Sequence, residues 1–281
     1  VLDLAPVKQN KTIHDTFNYS LDLARFVEKL NYKRFWLAEH HNMASIASSA
    51  TSVLIGFIAN GTEKIRVGSG GIMLPNHSSL VIAEQFGTLE SLFPGRIDLG
   101  VGRAPGTDGL TAKALGRNPM IINEQFPRQI QELQQYFSEE NSESLVRAIP
   151  GAGCDIPIYV LGSSTDSAWL AAEFALPYAF AGHFAPEMMS FAFEIYRDNY
   201  KPSEKFPEPY IIACVNGIAA GTDDEGKKLA TTLYQAFVNI IRNDRKPFSP
   251  PIDDMDEIWN PMEKAGVLQK QEHHFIENVF E

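Results

Sequence analysis

Residues 34–41 read RFWLAEHH, an apolar run that leads directly into one acidic residue and two histidines. The apolar part has the composition of a strand that is covered on both faces, as in a parallel sheet. Glu39, His40 and His41 would then lie at the carboxyl end of that strand, where parallel α/β folds carry their chemistry. The stretch predicts a buried parallel strand that delivers polar side chains to a functional edge.

The same organisation recurs along the chain, because apolar strand candidates alternate with segments of helical period. This alternation is typical of βαβ units. The strand candidates are residues 1–6, 34–39, 65–69, 97–102, 156–162, 178–182 and 210–219. The helix candidates are residues 15–30, 44–60, 80–92, 123–137, 165–174, 186–200 and 223–241. Nearly every strand ends in small or polar residues, and a barrel collects such ends around one mouth, whereas an open sheet gathers them at one crevice. We predict an α/β fold of the (β/α)8 TIM-barrel type.

A closed barrel of eight strands needs one more unit than this pattern supplies. After the last helix candidate come a proline-rich loop and a final stretch, residues 264–281, that has the pattern of a helix. We therefore expect residues 1–281 to form a single barrel domain from which the last βα unit is missing. Residues 104–122 and 243–266 are longer than ordinary connections and rich in Gly, Pro, Asn and Asp, so we expect them to act as lids.

The composition excludes several classes of partner. The chain has 24 Lys and Arg against 35 Asp and Glu, a formal net charge of -11. That sign is wrong for gripping nucleic-acid phosphates or anionic lipid. The longest apolar run, residues 53–59, is much shorter than the roughly 18 residues of a membrane span. Residues 1–7 have the pattern of a strand rather than a secretion signal, so we expect a cytoplasmic protein without nucleic-acid or membrane partners.

An anion site is predicted where residues 158–167 (IYVLGSSTDS) carry a strand into a helix. Gly162 is followed by three serine hydroxyls, those of Ser163, Ser164 and Ser167. Free backbone amides and hydroxyls would converge there at the positive end of the helix. Simple N-capping would need only one of these hydroxyls, so their number favours a phosphate.

Arg103 offers a cation for the same anion. It comes directly after a strand and beside the flexible glycines of residues 100–106. These glycines are spaced wrongly for a dinucleotide fingerprint. A guanidinium in this place can bind phosphate through two hydrogen bonds, although a salt bridge at the rim is an alternative. Arg103 and the serines would together hold one phosphate monoester.

Side chains alternate along an extended segment, so only one of His40 and His41 is expected to face the mouth. Metal binding is an alternative for the histidines, since His77 and His183 also lie near strand ends. Metal-dependent barrel hydrolases, however, have His-x-His after their first strand, where this chain has residues 4–6 (LAP). We therefore predict no metal site.

Four motifs occur in an order and spacing that resembles the bacterial luciferase-like monooxygenase family. They are residues 36–41 (WLAEHH), residues 68–75 (GSGGIMLP) followed by His77, residues 94–103 (PGRIDLGVGR), and residues 159–164 (YVLGSS) continuing to residues 176–177. The resemblance spans nearly the whole chain. It implies a flavin-dependent enzyme built on a (β/α)8 barrel.

The resemblance also implies roles for particular residues. His40 matches the catalytic histidine beside the flavin and the substrate. The position that commonly carries a non-proline cis peptide under the isoalloxazine ring is matched by Gly70 and Gly71. The cofactor's phosphate would be held by Arg103 and by the turn that contains Gly162, Ser163, Ser164 and Ser167.

The implied chemistry has two components. A separate flavin reductase supplies reduced FMN, and the enzyme uses it with molecular oxygen to oxygenate a small hydrophobic substrate. A homodimer is expected as well, because residues 44–60 are small and apolar on most faces of their predicted helix. The alternatives are a deazaflavin-dependent dehydrogenase of the same superfamily, a flavin-binding protein without turnover, and a metal-dependent barrel hydrolase.

Overall fold

Seven parallel strands form one sheet in a computed structural model that describes residues 1–118, 120–269 and 275–278. Each strand pairs with its neighbours in sequence, from first to last. The strands are β1 (Leu2–Asp3), β2 (Arg34–Leu37), β3 (Arg66–Met73), β4 (Ile97–Gly102), β5 (Ile158–Gly162), β6 (Tyr178–Phe180) and β7 (Ile211–Ala213). Sequential parallel pairing without a reversal of strand order distinguishes a barrel from a doubly wound sheet.

Helices follow the strands along the chain, and most of them pack in one core with the sheet. They are α1 (Ile13–Lys29), α2 (Thr51–Asn60), α3 (Ser79–Leu92), α4 (Gly109–Ala114), α5 (Ile122–Phe137), α6 (Thr165–Glu173), α7 (Met189–Asn199), α8 (Asp223–Ile241) and α9 (Pro261–Gln269). On α1, for example, Leu21, Ala24 and Val27 form one buried stripe, at the spacing that a helix needs to pack one face. The predicted alternation of strands and helices is confirmed.

The sheet is curled, because residues of both edge strands meet inside it. Trp36, Tyr159 and Ala179 form an inner apolar cluster, and Leu2 of β1 and Ile212 of β7 pack against it. Edge strands of a flat sheet of this width could not share such a cluster, since neighbouring strands lie about 4.8 Å apart. The fold is therefore TIM-barrel-like with one unit missing, as predicted.

A buried ion cluster closes the amino end of the sheet. Asp98 is fully buried, and its Oδ2 accepts hydrogen bonds from Arg34 Nε at 3.0 Å and from Trp36 Nε1 at 3.0 Å. Its Oδ1 accepts a bond from Arg66 Nε at 2.7 Å. A buried carboxylate is tolerated only with such partners. At this end of a barrel, polar clusters serve stability and leave the opposite end for chemistry.

Two element boundaries differ from the sequence prediction near the first strand. Helix α2 begins at Thr51, not at residue 44, because the segment before it pairs with the chain that follows β1: Val7 N donates to Ser45 O at 2.8 Å and Ala47 N to Ala5 O at 3.0 Å. Helix α1 begins at Ile13, not at residue 15, because Thr12 is its N-cap and forms a capping box with Asp15.

The prediction of helix throughout residues 264–281 was wrong. Helix α9 ends at Gln269, and a strand, β9 (Phe275–Asn278), follows; residues 270–274 and 279–281 lie outside the described part of the chain. The predicted strand 210–219 is divided into β7 and β8 (Gly217–Ala220), and β8 pairs in parallel with β9. This pairing joins residues almost 60 positions apart, so local sequence patterns carry no signal for it.

Within the described ranges, no helix combines the length and the apolar character that crossing a membrane requires.

Candidate functional site

A cavity of about 350 Å³ opens at the carboxyl ends of the strands. Seven of the eight residues predicted for the site line it: His40, Gly70, Arg103, Gly162, Ser163, Ser164 and Ser167. The rest of its wall is largely apolar, with Leu4, Phe126, Leu170 and Phe184 among the lining residues. The strand ends therefore converge at one mouth, as a barrel requires.

The eighth predicted residue, Gly71, is joined to Gly70 by a peptide bond that is cis, as predicted. A Cβ atom added to Gly70 would lie 2.7 Å from Leu2 Cδ1 and 3.1 Å from Trp36 Cβ. These separations are shorter than van der Waals contact, so a side chain at this position would displace the inner cluster. Glycine leaves bare backbone at the cavity wall, which suits the close approach of a flat ligand.

The turn from β5 into α6 presents hydroxyls at the start of a helix. Ser164 occupies the N-cap position, yet its side chain makes no capping hydrogen bond, and Ser163 is exposed. Simple capping therefore does not account for these serines. Their hydroxyls and the amides at the start of α6 suit an anion.

Ser167 has a partner inside this turn. Its Oγ lies 2.7 Å from Ser164 O, and because a carbonyl oxygen only accepts, the Ser167 hydroxyl is the donor. The Tyr178 hydroxyl lies 3.0 Å from Ser167 Oγ and 3.1 Å from Ser164 O. Ser167 and Tyr178 thus brace the turn, and a direct contact of Ser167 with phosphate stays a prediction.

Arg103 lies on the cavity wall and also forms an ion pair at the rim. Its Nη2 is 3.5 Å from Asp166 Oδ2, and the side chains are 41% and 72% exposed. Exposed pairs of this kind contribute about 0–1 kcal/mol. The two readings of Arg103 from sequence are therefore compatible, because so weak a pair yields to a phosphate dianion.

His40 is half-buried in the wall, whereas the His41 side chain turns away to Glu39, so one histidine faces the mouth, as predicted. His40 Nδ1 lies 3.2 Å from Gly106 O, which can only accept; Nδ1 therefore carries the proton and Nε2 has the lone pair. Burial lowers the pKa of His40 from its usual value. At neutral pH the ring is an uncharged acceptor.

Gly106 holds both histidines and must be glycine. Its carbonyl accepts from His41 N at 3.0 Å as well as from His40. Its φ is +64°, and an added Cβ would lie 2.6 Å from Glu39 O. A larger residue would suffer both backbone strain and a clash.

Glu39 is a component of the site that sequence analysis placed at the strand end but gave no role. It is 1% exposed, and its carboxylate accepts hydrogen bonds from His41 Nε2 at 2.8 Å, His77 Nε2 at 2.9 Å and Met73 N at 3.0 Å. Burial alone would raise the pKa of Glu39, but the bonds and charge of His77, together with the other donors, hold it below its usual value. Glu39 is therefore a buried anion beside His40.

The histidines do not form a metal centre in the part of the chain that the structure describes, where no three His, Cys, Asp or Glu side chains are grouped to hold an ion. His77 bonds to Glu39, and the His183 ring packs on Phe184 with 4.2 Å between ring centroids.

Comparison with known proteins gives relatives along almost the whole chain. The family model described as luciferase-like monooxygenase matches residues 4–277. A Bacillus subtilis (strain 168) protein designated YvbT is 58% identical, covering 96% of this chain and 80% of that protein. A protein named luciferase-like monooxygenase from Escherichia coli (strain K12) is 51% identical over the same shares of the two chains.

Solved structures share the fold. The apo form of MsnO8 superposes with a TM-score of 0.84 at 29% identity, covering 98% of this chain and 90% of that one. The oxygenating constituent of 3,6-diketocamphane monooxygenase from Pseudomonas putida, in complex with FMN, gives 0.66 at 18% identity, covering 86% and 74%. An F420-dependent secondary alcohol dehydrogenase gives 0.60 at 16% identity, covering 92% and 78%. The family model and the close sequence relatives agree with the barrel and its motifs, and the chain belongs to the luciferase-like monooxygenase family.

Proposed function

We propose that the protein is a monooxygenase that uses reduced FMN and molecular oxygen to oxygenate a small hydrophobic substrate. The observation that carries this proposal is the convergence of Arg103, Ser163, Ser164, His40 and Gly70 on one cavity. The Arg103 guanidinium and the backbone amides at the N-terminus of α6 suit a phosphate, and the bare backbone at Gly70 suits a flat ring. The residues present therefore fit FMN.

Each part of the cavity has a task in this proposal. When bound, reduced FMN supplies the activation of oxygen. Arg103, Ser163 and Ser164 would hold its phosphate, and Gly70 and Gly71 would lie against its ring. The apolar wall would exclude water from the reacting groups and accommodate a hydrophobic substrate.

His40 is the proton acceptor in this proposal. Its Nδ1 proton is committed to Gly106 O, so Nε2 is the atom that accepts a hydrogen bond or a proton from a group in the cavity. Because burial lowers the pKa of His40, the ring holds no second proton at neutral pH. Gly106 O fixes this tautomer, and the bond between Glu39 and His41 holds the segment on which the ring lies.

A deazaflavin-dependent dehydrogenase is the second candidate. The fold of this chain is shared by a secondary alcohol dehydrogenase that depends on F420, and the turn from β5 into α6 would suit the phosphate of either cofactor. FMN is favoured because the TM-score is higher for the monooxygenase in complex with FMN, 0.66, than for the F420-dependent dehydrogenase, 0.60. A flavin-binding protein without turnover is less favoured, since His40 and its support would then have no use.

Partners follow from the same proposal. Reduced FMN would come from a flavin reductase in a transient encounter. A second copy of the chain would pack on α2, where Val53 is 70% and Phe57 40% exposed. Apolar side chains that project from neighbouring turns of one helix are typical of an interface.

An anaerobic titration separates the candidates. The protein is titrated with reduced FMN and, separately, with a reduced deazaflavin, and oxygen is then admitted while absorbance is followed. We expect saturable binding of reduced FMN and its oxidation on the protein when oxygen enters. Tight binding of the deazaflavin with no binding of FMN would contradict the proposal and support a dehydrogenase.

A further inference from the structure

Residues 104–118 of the first lid segment (104–122), with α4 at their centre, are fastened to the strand ends by hydrogen bonds, and Ala104 and Gly106 among them line the cavity. Thr107 Oγ1 donates to His41 O at 2.8 Å, and Asn76 Nδ2 donates to Pro105 O at 3.1 Å. The segment thus has a defined position on the ends of β2 and β3.

Asn76 is the junction of these bonds. Besides Pro105, its Nδ2 donates to Glu39 Oε1 at 3.2 Å, and its Oδ1 accepts from Arg117 Nη1 at 3.0 Å. Both ends of the amide are therefore engaged. Asn76 connects the buried carboxylate beside His40 with a guanidinium at the far end of the lid segment.

Arg117 extends the connection to the anion end of the cavity. Its Nη2 donates to the main-chain oxygen of Arg103. A continuous chain of contacts thus runs from Glu39 through Asn76 and Arg117 to Arg103, which we name the lid bridge. Burial lowers the pKa of Arg117 from its usual value; the charge of Glu39 opposes this shift and the charge of Arg103 adds to it.

The planar fork of an arginine suits this place. Nη1 and Nη2 point to two different acceptors, Asn76 Oδ1 and Arg103 O, at fixed geometry. A lysine ammonium is a point charge on a flexible stem and does not hold two acceptors in one plane.

We propose that Arg117 is a positioning residue that, through the lid bridge, fixes the main chain of Arg103 so that the Arg103 guanidinium meets the cofactor's phosphate. The inference rests on the proposed FMN site. Arg117 does not contact the ligand in this account; it acts through Arg103 on one side and through Asn76 on the other.

The test compares the affinities of the full chain for FMN and for riboflavin, which lacks the phosphate, by fluorescence titration. The variants are Arg117→Ala, Arg117→Lys, Asn76→Ala and the double variant Arg117→Ala/Asn76→Ala. Lys113→Ala is the matched control, because it removes a positive charge from an exposed site on the same lid segment. Thermal melting reports whether each variant is folded.

We expect Arg117→Ala to weaken FMN about tenfold, the scale of a charge-assisted hydrogen bond, and to leave riboflavin within about twofold. Arg117→Lys should behave like Arg117→Ala, and Lys113→Ala like the unchanged protein. Asn76→Ala should weaken FMN as well, and the double variant should be no weaker than the Arg117 variant, because both substitutions break the same bridge.

Three results would overturn the inference: an unchanged ratio of FMN to riboflavin affinity in both Arg117 variants, full rescue by lysine, or additive losses in the double variant. Arg117→Lys keeps the test decisive if the alanine variant does not fold. Equal affinity of the unchanged protein for FMN and riboflavin would refute the phosphate site itself, and with it both this inference and the proposed function. A phosphate preference that is insensitive to Arg117 would refute this inference alone.

Discussion

At the scale of single residues, Arg103 supplies the cavity's fixed positive charge at the proposed phosphate position. We expect Arg103→Ala to weaken FMN binding by about 1.5–3 kcal/mol, or roughly ten- to more than a hundredfold. The ion pair between Arg103 and Asp166 changes this loss little, because the pair is long and exposed and therefore weak. Fluorescence titration measures the effect, and Arg128→Ala, at an exposed pair on α5, is the control of equal charge. Equal affinities in the two variants would remove Arg103 from the site.

His40 predicts a pH dependence. Its pKa in the folded protein lies below the usual value of 6.5, so the ring is neutral above that pH and gains a proton only at lower pH. Oxygenation that needs Nε2 as an acceptor should be constant from about pH 7 to 8 and fall only as the pH drops through the lowered pKa of His40, below 6.5. Below pH 6.5 the unfolded chain also binds this proton more readily than the folded chain, so the same group lowers stability as pH falls.

Rates across this pH range, with His14→Ala on exposed helix surface as a control, measure the effect. His40→Ala should keep FMN binding and lose oxygenation or release peroxide. Coupled turnover at the unchanged rate would show that His40 has another role.

Sequence analysis could find the residues whose place is set by topology alone. His40, Arg103 and Ser163 each follow a strand, so a correct strand assignment brings them to one mouth whatever the loops do. Asn76 and Arg117 could not be found this way. Their importance depends on how the lid segment lies on the strand ends, which is a matter of long-range contacts.

At the scale of elements, Glu39 joins the ends of β2 and β3. Its carboxylate accepts hydrogen bonds from Met73 N, at the end of β3, and from His77, which follows β3. It also accepts one from His41, which follows β2 as Glu39 does. We expect Glu39→Gln to lower the free energy of unfolding at pH 7 by about 1–3 kcal/mol, because a buried acceptor of charged and neutral donors is lost.

The sign of its pH dependence follows from the lowered pKa of Glu39. The stabilisation is present above the unfolded value of about 4.3 and is lost as pH falls through the lower folded value. Urea unfolding of both proteins at pH 7 and at progressively lower pH checks this, with Glu63→Gln at an exposed position as the control. A difference between the proteins that grows on acidification would contradict the account.

Element boundaries show where local patterns fail. The apolar sequence before α2 is helical in composition, yet residues 45–47 hydrogen-bond to the chain after β1 and stay outside the helix. Strand β9 exists because β8 offers it a partner. In both cases a hydrogen-bonding edge elsewhere in the fold outweighs the local preference.

At the scale of the whole molecule, the alternation of strand and helix candidates and the small or polar residues at the strand ends were enough to predict a parallel sheet of the barrel type. The inner cluster of Trp36, Tyr159 and Ala179 explains why the sheet curls, since large side chains from opposite walls fill its centre. The strands' carboxyl ends then face one cavity, and the proposed function follows from that convergence.

The exposed apolar face of α2 predicts a homodimer. Sedimentation should show a dimer at micromolar concentration, and Val53→Asp/Phe57→Asp should shift it to monomer, because the introduced negative charges of the two protomers would be buried against each other across a two-fold axis. Leu92→Asp, at an exposed residue of α3, provides a comparison. An unchanged dimer in the α2 variant would place the interface elsewhere. A monomeric unsubstituted protein would refute the dimer.

A crystal structure of the protein with bound FMN tests the central claim most directly. We predict that the phosphate lies within hydrogen-bonding distance of the Arg103 guanidinium and the turn at Ser163 and Ser164, with the ring against Gly70 and Gly71. FMN bound with its phosphate away from both Arg103 and that turn would contradict the account.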